Sequence, residues 1–390
     1  MSPRIVSIGT SVPATRVSQD HARDLFALQP GVDRLTQRLI RAAFDAAAIE
    51  HRHTVLSQLA EPGAAVGDDD GFIDAAGTLL RPTTGTRNDV YIREAPGLYA
   101  EAARAALRDA AVEASAVTHV VTVSCTGFFA PGPDFRLVRD IGLDPAVERY
   151  HLGFIGCAAA LPGLRLATRI AAADPEAVVL VVCVELCTLH IRPSADPQQI
   201  VAGSVFADGG AAAIVTADPG VGRAGGLEID RFATALTTEG EEDMVWTIGD
   251  HGFEMILSAE VPRIVGREIR GAVDRFLAGE TAPDAWAVHP GGRSVLDRVE
   301  AGLDLDSAAL DASRAVLRDY GNMSSATVMF ILRRMLHDDA VADGTRLAAL
   351  AFGPGLTVES ALLTKRAVAA APAVRDGASV DAVVGAAAGA

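Results

Sequence analysis

The sequence predicts an α/β fold built from two copies of one unit, and three observations carry that expectation. Short β-branched apolar runs alternate with alanine-rich stretches of helical character, the pattern of buried strands layered with helices. The order of elements after "VTVSC" (121–125) resembles the order after "WAVHP" (286–290): strand, a turn carrying candidate functional residues, helix, strand, hairpin. With 390 residues, 49% of them apolar, the chain is long enough to bury a core of that size. The midpoint of the repeat falls near residue 228, which divides the chain into 1–228, 229–365 and a low-complexity tail, 366–390, that reads as mobile.

In the first half, "HVVTVSC" (119–125), "AVVLVVCVE" (177–185) and "AAAIVTA" (211–217) read as strands. Their near-continuous apolar character suits strands covered on both faces. "GLYAEAARAALRDAAVEA" (97–114) and "LPGLRLATRIAAA" (161–173) are the helices between them. In the second half the strands are "AWAVHP" (285–290), "RLAALAFG" (346–353) and "VESALLTK" (358–365), and the helices 261–279 and 325–338. Residues 61–88 gather Gly, Asp, Pro and Thr and read as a long surface loop. Its "GDDD" is a solvated acidic turn, since calcium-ligand spacing is missing. "GVGRAG" (220–225) satisfies GxGxxG, but "GLEIDRFAT" follows as a strand where a dinucleotide fingerprint requires a helix. Those glycines read as a hairpin or turn.

A formal charge of −16 argues against nonspecific binding to nucleic acid or an anionic membrane, and any anionic substrate needs a local basic patch. Four cysteines do not make a disulfide framework, and Cys183 and Cys187 are spaced CxxxC rather than as a CxxC metal or redox pair. No charged-then-apolar leader opens the sequence, and "AVVLVVCVEL" is too short to span a bilayer. The expectation is a soluble protein of a reducing cytoplasm. Lys365 is the only lysine among the 34 basic residues, a bias of the kind a GC-rich bacterial genome imposes.

No GxSxG, HExxH or CxxC occurs. Three polar groups instead stand beside glycine or proline at predicted element ends: Cys157 in "GFIGCAA", His289 in "AVHPGG" and Asn322 in "YGNMSSA". A lone cysteine is commonly a small core residue. A helix opening at Ala158 and a neighbouring imidazole are, however, the surroundings that activate a thiol. Asn322 by itself reads as a plain helix N-cap. No metal-ligand cluster stands out.

The flanks of these residues carry a resemblance. "GFIGCAAALPGLRLA", "SVFADGGAAAIV", "WAVHPGGRSVLDRVE", "DYGNMSSATVMFIL" and "AFGPGLTVESALL" resemble, in order and from about residue 4 to 365, the signatures of type III polyketide synthases of the chalcone synthase superfamily. The resemblance implies a thiolase-like duplicated five-layered αβαβα fold, a cytoplasmic homodimer, and acyl-CoA and malonyl-CoA as substrates with no metal or redox cofactor. It implies that Cys157 takes the starter acyl group and that His289 keeps the cysteine as thiolate. His289 and Asn322 would together stabilise the enolate left when malonyl-CoA loses carbon dioxide, donors placed where negative charge develops. Phe206 in "SVFADG" matches a gate to the cavity.

Pocket positions depart from the plant members. Cys125, Cys187, His190 and Met255 stand at positions of threonines and a second gate phenylalanine, Ala130 at a bulky methionine, and Trp246 at a small glycine. Ser324 completes the acyl-pocket set. Thr126, Ala130 and Cys187 together resemble bacterial members with a side tunnel for fatty acyl groups, and each buried CH₂ contributes about 0.8 kcal/mol. The expectation is an aliphatic starter, long-chain included, with few extensions and an alkyl pyrone or alkyl resorcinol as product. At the coenzyme A entrance the aligned helix positions are apolar (Leu39, Ala42, Ala46), so Arg38, Arg41 and Arg52 are the candidates for the phosphates. The rivals are a ketoacyl-acyl carrier protein synthase III-like initiating enzyme with the same Cys-His-Asn set, a hydroxymethylglutaryl-CoA synthase, for which no glutamate base stands out, and a non-catalytic partner subunit, which would have lost one of the three residues.

Overall fold

The computed structural model describes residues 2–60, 71–74, 76–222 and 225–366. The chain opens with β1 (Arg4–Ser11), β2 (Thr15–Ser18), α1 (Gln19–Ala27), α2 (Arg34–Ala46) and β3 (His51–Thr54). The long α3 (Thr84–Ala110) leads into β4 (His119–Ser124), α4 (Pro133–Ile141), β5 (Glu148–Gly153) and α5 (Ala160–Ala173). Then come β6 (Val178–Leu186), α6 (Pro197–Val205), β7 (Asp208–Thr216) and β8 (Gly226–Leu236). The hairpin β9 (Met244–Gly249) and β10 (Gly252–Leu257) precedes α7 (Val261–Leu277), β11 (Ala285–Val288), α8 (Arg293–Leu303) and α9 (Asp311–Tyr320). The described chain closes with α10 (Ala326–Leu336), β12 (Arg346–Gly353) and β13 (Thr357–Arg366).

Nine strands form one sheet in the order β11-β12-β13-β8-β1-β7-β6-β4-β5. From β1 outward, β7 runs antiparallel to β1 and to β6, while β6 and β4 are parallel. From β8 outward, β13 runs antiparallel to β8 and to β12, while β12 and β11 are parallel. Order and direction therefore recur, β8-β13-β12-β11 repeating β1-β7-β6-β4. The two sets meet where Arg4 pairs Glu228 and Ile5 pairs Leu227.

The helices complete five layers. α5 packs on β4, β6 and β7 and also on β8 and β13, and α10 touches strands of both sets, so the pair forms the central layer. α3 covers β1, β6 and β7 outside, and α7 with α8 lies beyond the second set against β8. The alanine content of α5 follows from this position: a Cβ at Gly163 would already stand 3.2 Å from Val123 and 3.3 Å from Val181. Only small side chains let one helix sit close to both strand sets.

Most expected elements lie where the sequence places them, with two differences of substance. α3 starts at Thr84 rather than near 97, capped by the Thr83 hydroxyl, and carries Pro96 in its interior. Burial of Val90, Tyr91, Ala95 and Tyr99 along one face outweighs the missing proline N–H. The expected 61–88 loop therefore ends before Thr84, and 61–70, with "GDDD", lie outside the described residues. The GxGxxG stretch connects β7 to β8 across β1 rather than as a hairpin, since both strands pair with β1. Gly222 there has φ +74°, while Arg223 and Ala224 lie outside the described residues. Arg366 closes β13, and the tail from 367 onward also lies outside them. No helix among the described residues is long and apolar enough to cross a membrane.

Candidate active site

Cys157 sits in a single 3₁₀ turn, Gly156–Ala158, between β5 and the first turn of α5. Gly156 is required there. Its φ is +72°, and a Cβ would meet Pro354 at 2.3 Å, so the turn lies flush on the loop between β12 and β13. The thiol is 9% exposed and faces a cleft. His289 follows β11, its backbone N–H donating to Leu350 O at 2.8 Å. Asn322 follows α9 and bridges Phe206: its N–H donates to Val205 O and its carbonyl accepts from Ala207 N–H, both at 2.9 Å. Its Nδ2 donates to Gly291 O at 3.3 Å in the loop after His289. This backbone stitching ties the gate, the asparagine and the histidine loop together, so Asn322 is not the N-cap of α10, a position Ser325 occupies.

Ser324 lies between the two halves of the site. Its N–H donates to Asn322 Oδ1 at 2.9 Å, its φ of +47° is left-handed, and its hydroxyl lies 3.5 Å from Cys125 Sγ. Burial pushes the Cys157 thiol up to about 11, against the opposing pull of hydrogen bonds from the Ser324 and Asn322 side chains. Burial also pushes the His289 imidazole down to about 3, and neither ring nitrogen has a hydrogen-bond partner among the described residues. Burial thus works against the charged form of both groups, the thiolate and the imidazolium. Inactivation by iodoacetamide is expected to accelerate about tenfold per pH unit from pH 7 to 10, following the thiolate fraction. A rate already flat at pH 7 would reveal an ion pair.

The cleft measures ≈ 700 Å³ including its open mouth. Cys125, Thr126, Cys187, His190, Phe206, Trp246, Met255 and Ser324 all line it. Trp246 and Met255 face each other across the β9–β10 hairpin, and the indole N–H donates to Cys125 O at 2.7 Å, which pins that wall. His190 donates from Nε2 to Thr126 O at 2.8 Å and accepts at Nδ1 from Phe253 N–H at 3.0 Å. Its ring stacks on Phe253 at 4.2 Å, and burial holds it neutral, down to about 3. His190 thus walls the cleft with both ring nitrogens engaged by backbone groups.

Two expectations are corrected. Ala130 is exposed, beside the cis Ala130–Pro131 bond, and does not line the cleft of its own chain. Arg52 is buried and does not face coenzyme A. Its guanidinium donates to Gly203 O (2.8 Å), Ser204 O (2.7 Å) and Phe206 O (2.9 Å), and to Gln19 Oε1. It caps the carbonyl end of α6 and fixes the gate. Arg52→Met is expected to destabilise the fold by about 3 kcal/mol through the carbonyls it strands, measured by urea unfolding. Arg38 is exposed without an ion pair among the described residues, and Arg41 pairs with Asp24 at 3.1 Å.

Sequence reading missed Glu185. Fully buried at the end of β6, it accepts from Cys125 N–H (3.0 Å), Thr126 Oγ1 (2.9 Å) and Ser325 Oγ (2.6 Å). Burial raises its pKa, so its carboxyl is held toward the protonated form. The available signal was one acid closing an unbroken apolar strand. Among the described residues no cluster of His, Cys, Asp and Glu could hold a metal ion.

Comparison with known proteins follows the same lines. Residues 2–219 match the family model for chalcone and stilbene synthases, N-terminal domain, and 229–367 match that for the C-terminal domain. The chain is 30% identical over 370 residues to a 3,5-dihydroxyphenylacetyl-CoA synthase of Streptomyces toyocaensis, covering 93% of this chain and 90% of that protein. It is 31% identical over 368 residues to the probable polyketide synthase 1 of Dictyostelium discoideum, where the match takes 92% of this chain but spans only 11% of the relative's length. The crystal structure of the C-terminal type III polyketide synthase domain of Steely1, a type I/III hybrid from Dictyostelium, superposes with a TM-score of 0.85 at 29% identity, covering 94% of this chain and all of that one.

Proposed function

The chain belongs to the chalcone and stilbene synthase family, and on that premise we propose that it condenses an acyl-CoA starter with malonyl-CoA at Cys157. The observation that carries the reading is that the Asn322 side chain, from the second repeat, hydrogen-bonds the Cys157 thiol of the first and also reaches Gly291 O in the loop that follows His289. The unpartnered His289 nitrogens are free for chemistry. One takes the thiol proton as sulfur attacks the starter thioester, and that proton leaves with the coenzyme A thiolate. The His289 ring N–H and the Asn322 Nδ2 then donate to the thioester carbonyl of malonyl-CoA. Its C–CO₂ bond breaks, carbon dioxide departs, and the electron pair becomes an enolate held by those donors. The enolate carbon attacks acyl-Cys157, the new carbon–carbon bond forms, and the Cys157 thiolate leaves. No oxidant or reductant is consumed.

The starter proposed is aliphatic, extended few times and released as an alkyl pyrone or resorcinol. The apolar and thiol lining of the cleft supports the first part, and the pinned Trp246 wall, which limits room for growth, supports the second. Arg38 and Arg41 are proposed to meet the coenzyme A phosphates, since the exposed Arg41–Asp24 pair is weak enough to exchange. A homodimer is proposed through the β5 edge of the sheet, where Phe128 and Tyr150 are exposed, the composition of an association surface. Light scattering at twice the chain mass would support it, and the mass of one chain would remove it.

Mass spectrometry of the products from malonyl-CoA with acyl-CoA starters from acetyl to palmitoyl tests the reading. Pyrones or resorcinols built on aliphatic starters are expected. Product from aromatic starters alone would keep the condensation and discard the aliphatic specificity. Product only with acyl carrier protein present would favour the ketoacyl synthase-like alternative.

A further inference from the structure

The β9–β10 hairpin, which brings Trp246 and Met255 into one wall of the cleft, forms a two-stranded sheet of its own. Among the described residues no strand pairs with the outer edge of β10, so side chains hold that edge in place. At the turn end, Gly252 N–H donates to Thr84 Oγ1 at 2.8 Å and Phe253 N–H donates to His190 Nδ1. At Met255 the holding group is Gln199 of α6. Its Nε2 donates to Met255 O at 2.6 Å, where a neighbouring strand would otherwise supply an N–H. The adjoining Arg192–Glu254 ion pair, at 3.2 Å with Glu254 half exposed, adds little. Open space flanks this wall on both sides. Behind it lies a polar basin of ≈ 930 Å³ including open solvent, and Arg192, Gln199 and Met255 line both the basin and the cleft. Arg81, Asp196, Asp250 and Glu254 also face the basin, so charged side chains rather than a packed core back the strand. The other end of α6 is fixed more firmly, since Arg52 holds three carbonyls there, that of Phe206 included.

We propose that Gln199 is a specificity-determining residue: by clasping β10 to α6 it fixes the distance between Met255 and Phe206, and so limits how many malonyl units are added before the chain fills the cleft. The inference rests on the condensation proposed above and names the side chain that sets its stopping point. A chain that outgrows the cleft presses Met255 toward the basin, and the clasp opposes that movement. One part-buried neutral hydrogen bond shifts such an equilibrium by about two- to tenfold.

The test compares the wild type with Gln199→Met, Gln199→Glu and Gln199→Ala, each given malonyl-CoA with hexanoyl-CoA or benzoyl-CoA. Mass spectrometry reads the ratio of products that differ by one malonyl unit, hydrogen–deuterium exchange reads the hairpin, and thermal unfolding confirms that each variant folds. Methionine keeps the length of the side chain without a donor, and glutamate turns an oxygen toward Met255 O. Both are expected to raise the share of the longer product about two- to tenfold and to speed exchange over residues 244–257, and either decides the matter if the other fails to fold. A shift in Gln199→Ala alone would mean that bulk rather than the clasp sets the limit, and would overturn the proposal. An unchanged ratio in the folded variants, or a shifted ratio without faster exchange, would also overturn it and leave the condensation standing. A wild type that forms no carbon–carbon bond with either starter would overturn both.

Discussion

Cys157→Ala is expected to abolish carbon–carbon bond formation, by at least ~10⁴-fold, while carbon dioxide release from malonyl-CoA continues within about tenfold of wild type. The split follows from the division of labour proposed for the site. The sulfur carries the acyl group, and without it the enolate has no electrophile to attack. The donors that favour decarboxylation, the His289 ring and Asn322 Nδ2, belong to loops that the substitution leaves untouched. Alanine also fits locally, because the turn is already flanked by Gly156 and Ala158 and the thiol is a small buried group. Labelled carbon dioxide and product mass, followed in the same reaction, measure both halves. Loss of both activities with an intact fold would mean that Cys157 shapes the malonyl site as well as carrying the acyl group.

Asn322→Ala is expected to have the complementary effect. Removing a preformed donor from a developing oxyanion typically lowers the rate by about 10²–10³-fold, and decarboxylation should fall by that factor. Loading of Cys157 from an acyl-CoA should fall less, because the thiol and the His289 ring remain. Part of the loss will be indirect, since Asn322 Oδ1 also holds the left-handed Ser324 that lies against Cys125. The double variant with His289→Ala should fall far short of the product of the two single losses, as expected for groups that act on one oxygen. Decarboxylation unchanged in Asn322→Ala would remove the amide from the mechanism.

The three candidate residues were legible because each stands at a break in the local backbone. Glycine before Cys157 marks a left-handed turn against Pro354, and the "HPGG" and "YGN" runs mark chain reversals at strand and helix ends, which short-range sequence states openly. The layered fold was legible for a related reason: strands covered on both faces, such as β6, are unbroken apolar runs. What remained hidden depends on contacts between distant segments. Arg52 looked like a surface cation because "EHRHT" is polar, yet α6 brings three carbonyl oxygens to it from about 150 residues away. Ala130 matched a pocket position by alignment, while the side of the loop it occupies depends on how that loop packs. The start of α3 was masked by Pro96, which reads as a breaker until the buried face ahead of it is seen. Glu185 hid within the very run that revealed its strand.

The central claim is that one buried thiol, rather than either of the neighbouring cleft thiols, carries the acyl group. Peptide mapping by mass spectrometry after brief incubation of the whole protein with an acyl-CoA, without malonyl-CoA, tests it most directly. A single acyl adduct is expected on the peptide containing Cys157, absent in Cys157→Ala and discharged on addition of malonyl-CoA. An adduct on Cys125 or Cys187 that malonyl-CoA discharges, or product formation by Cys157→Ala, would contradict it.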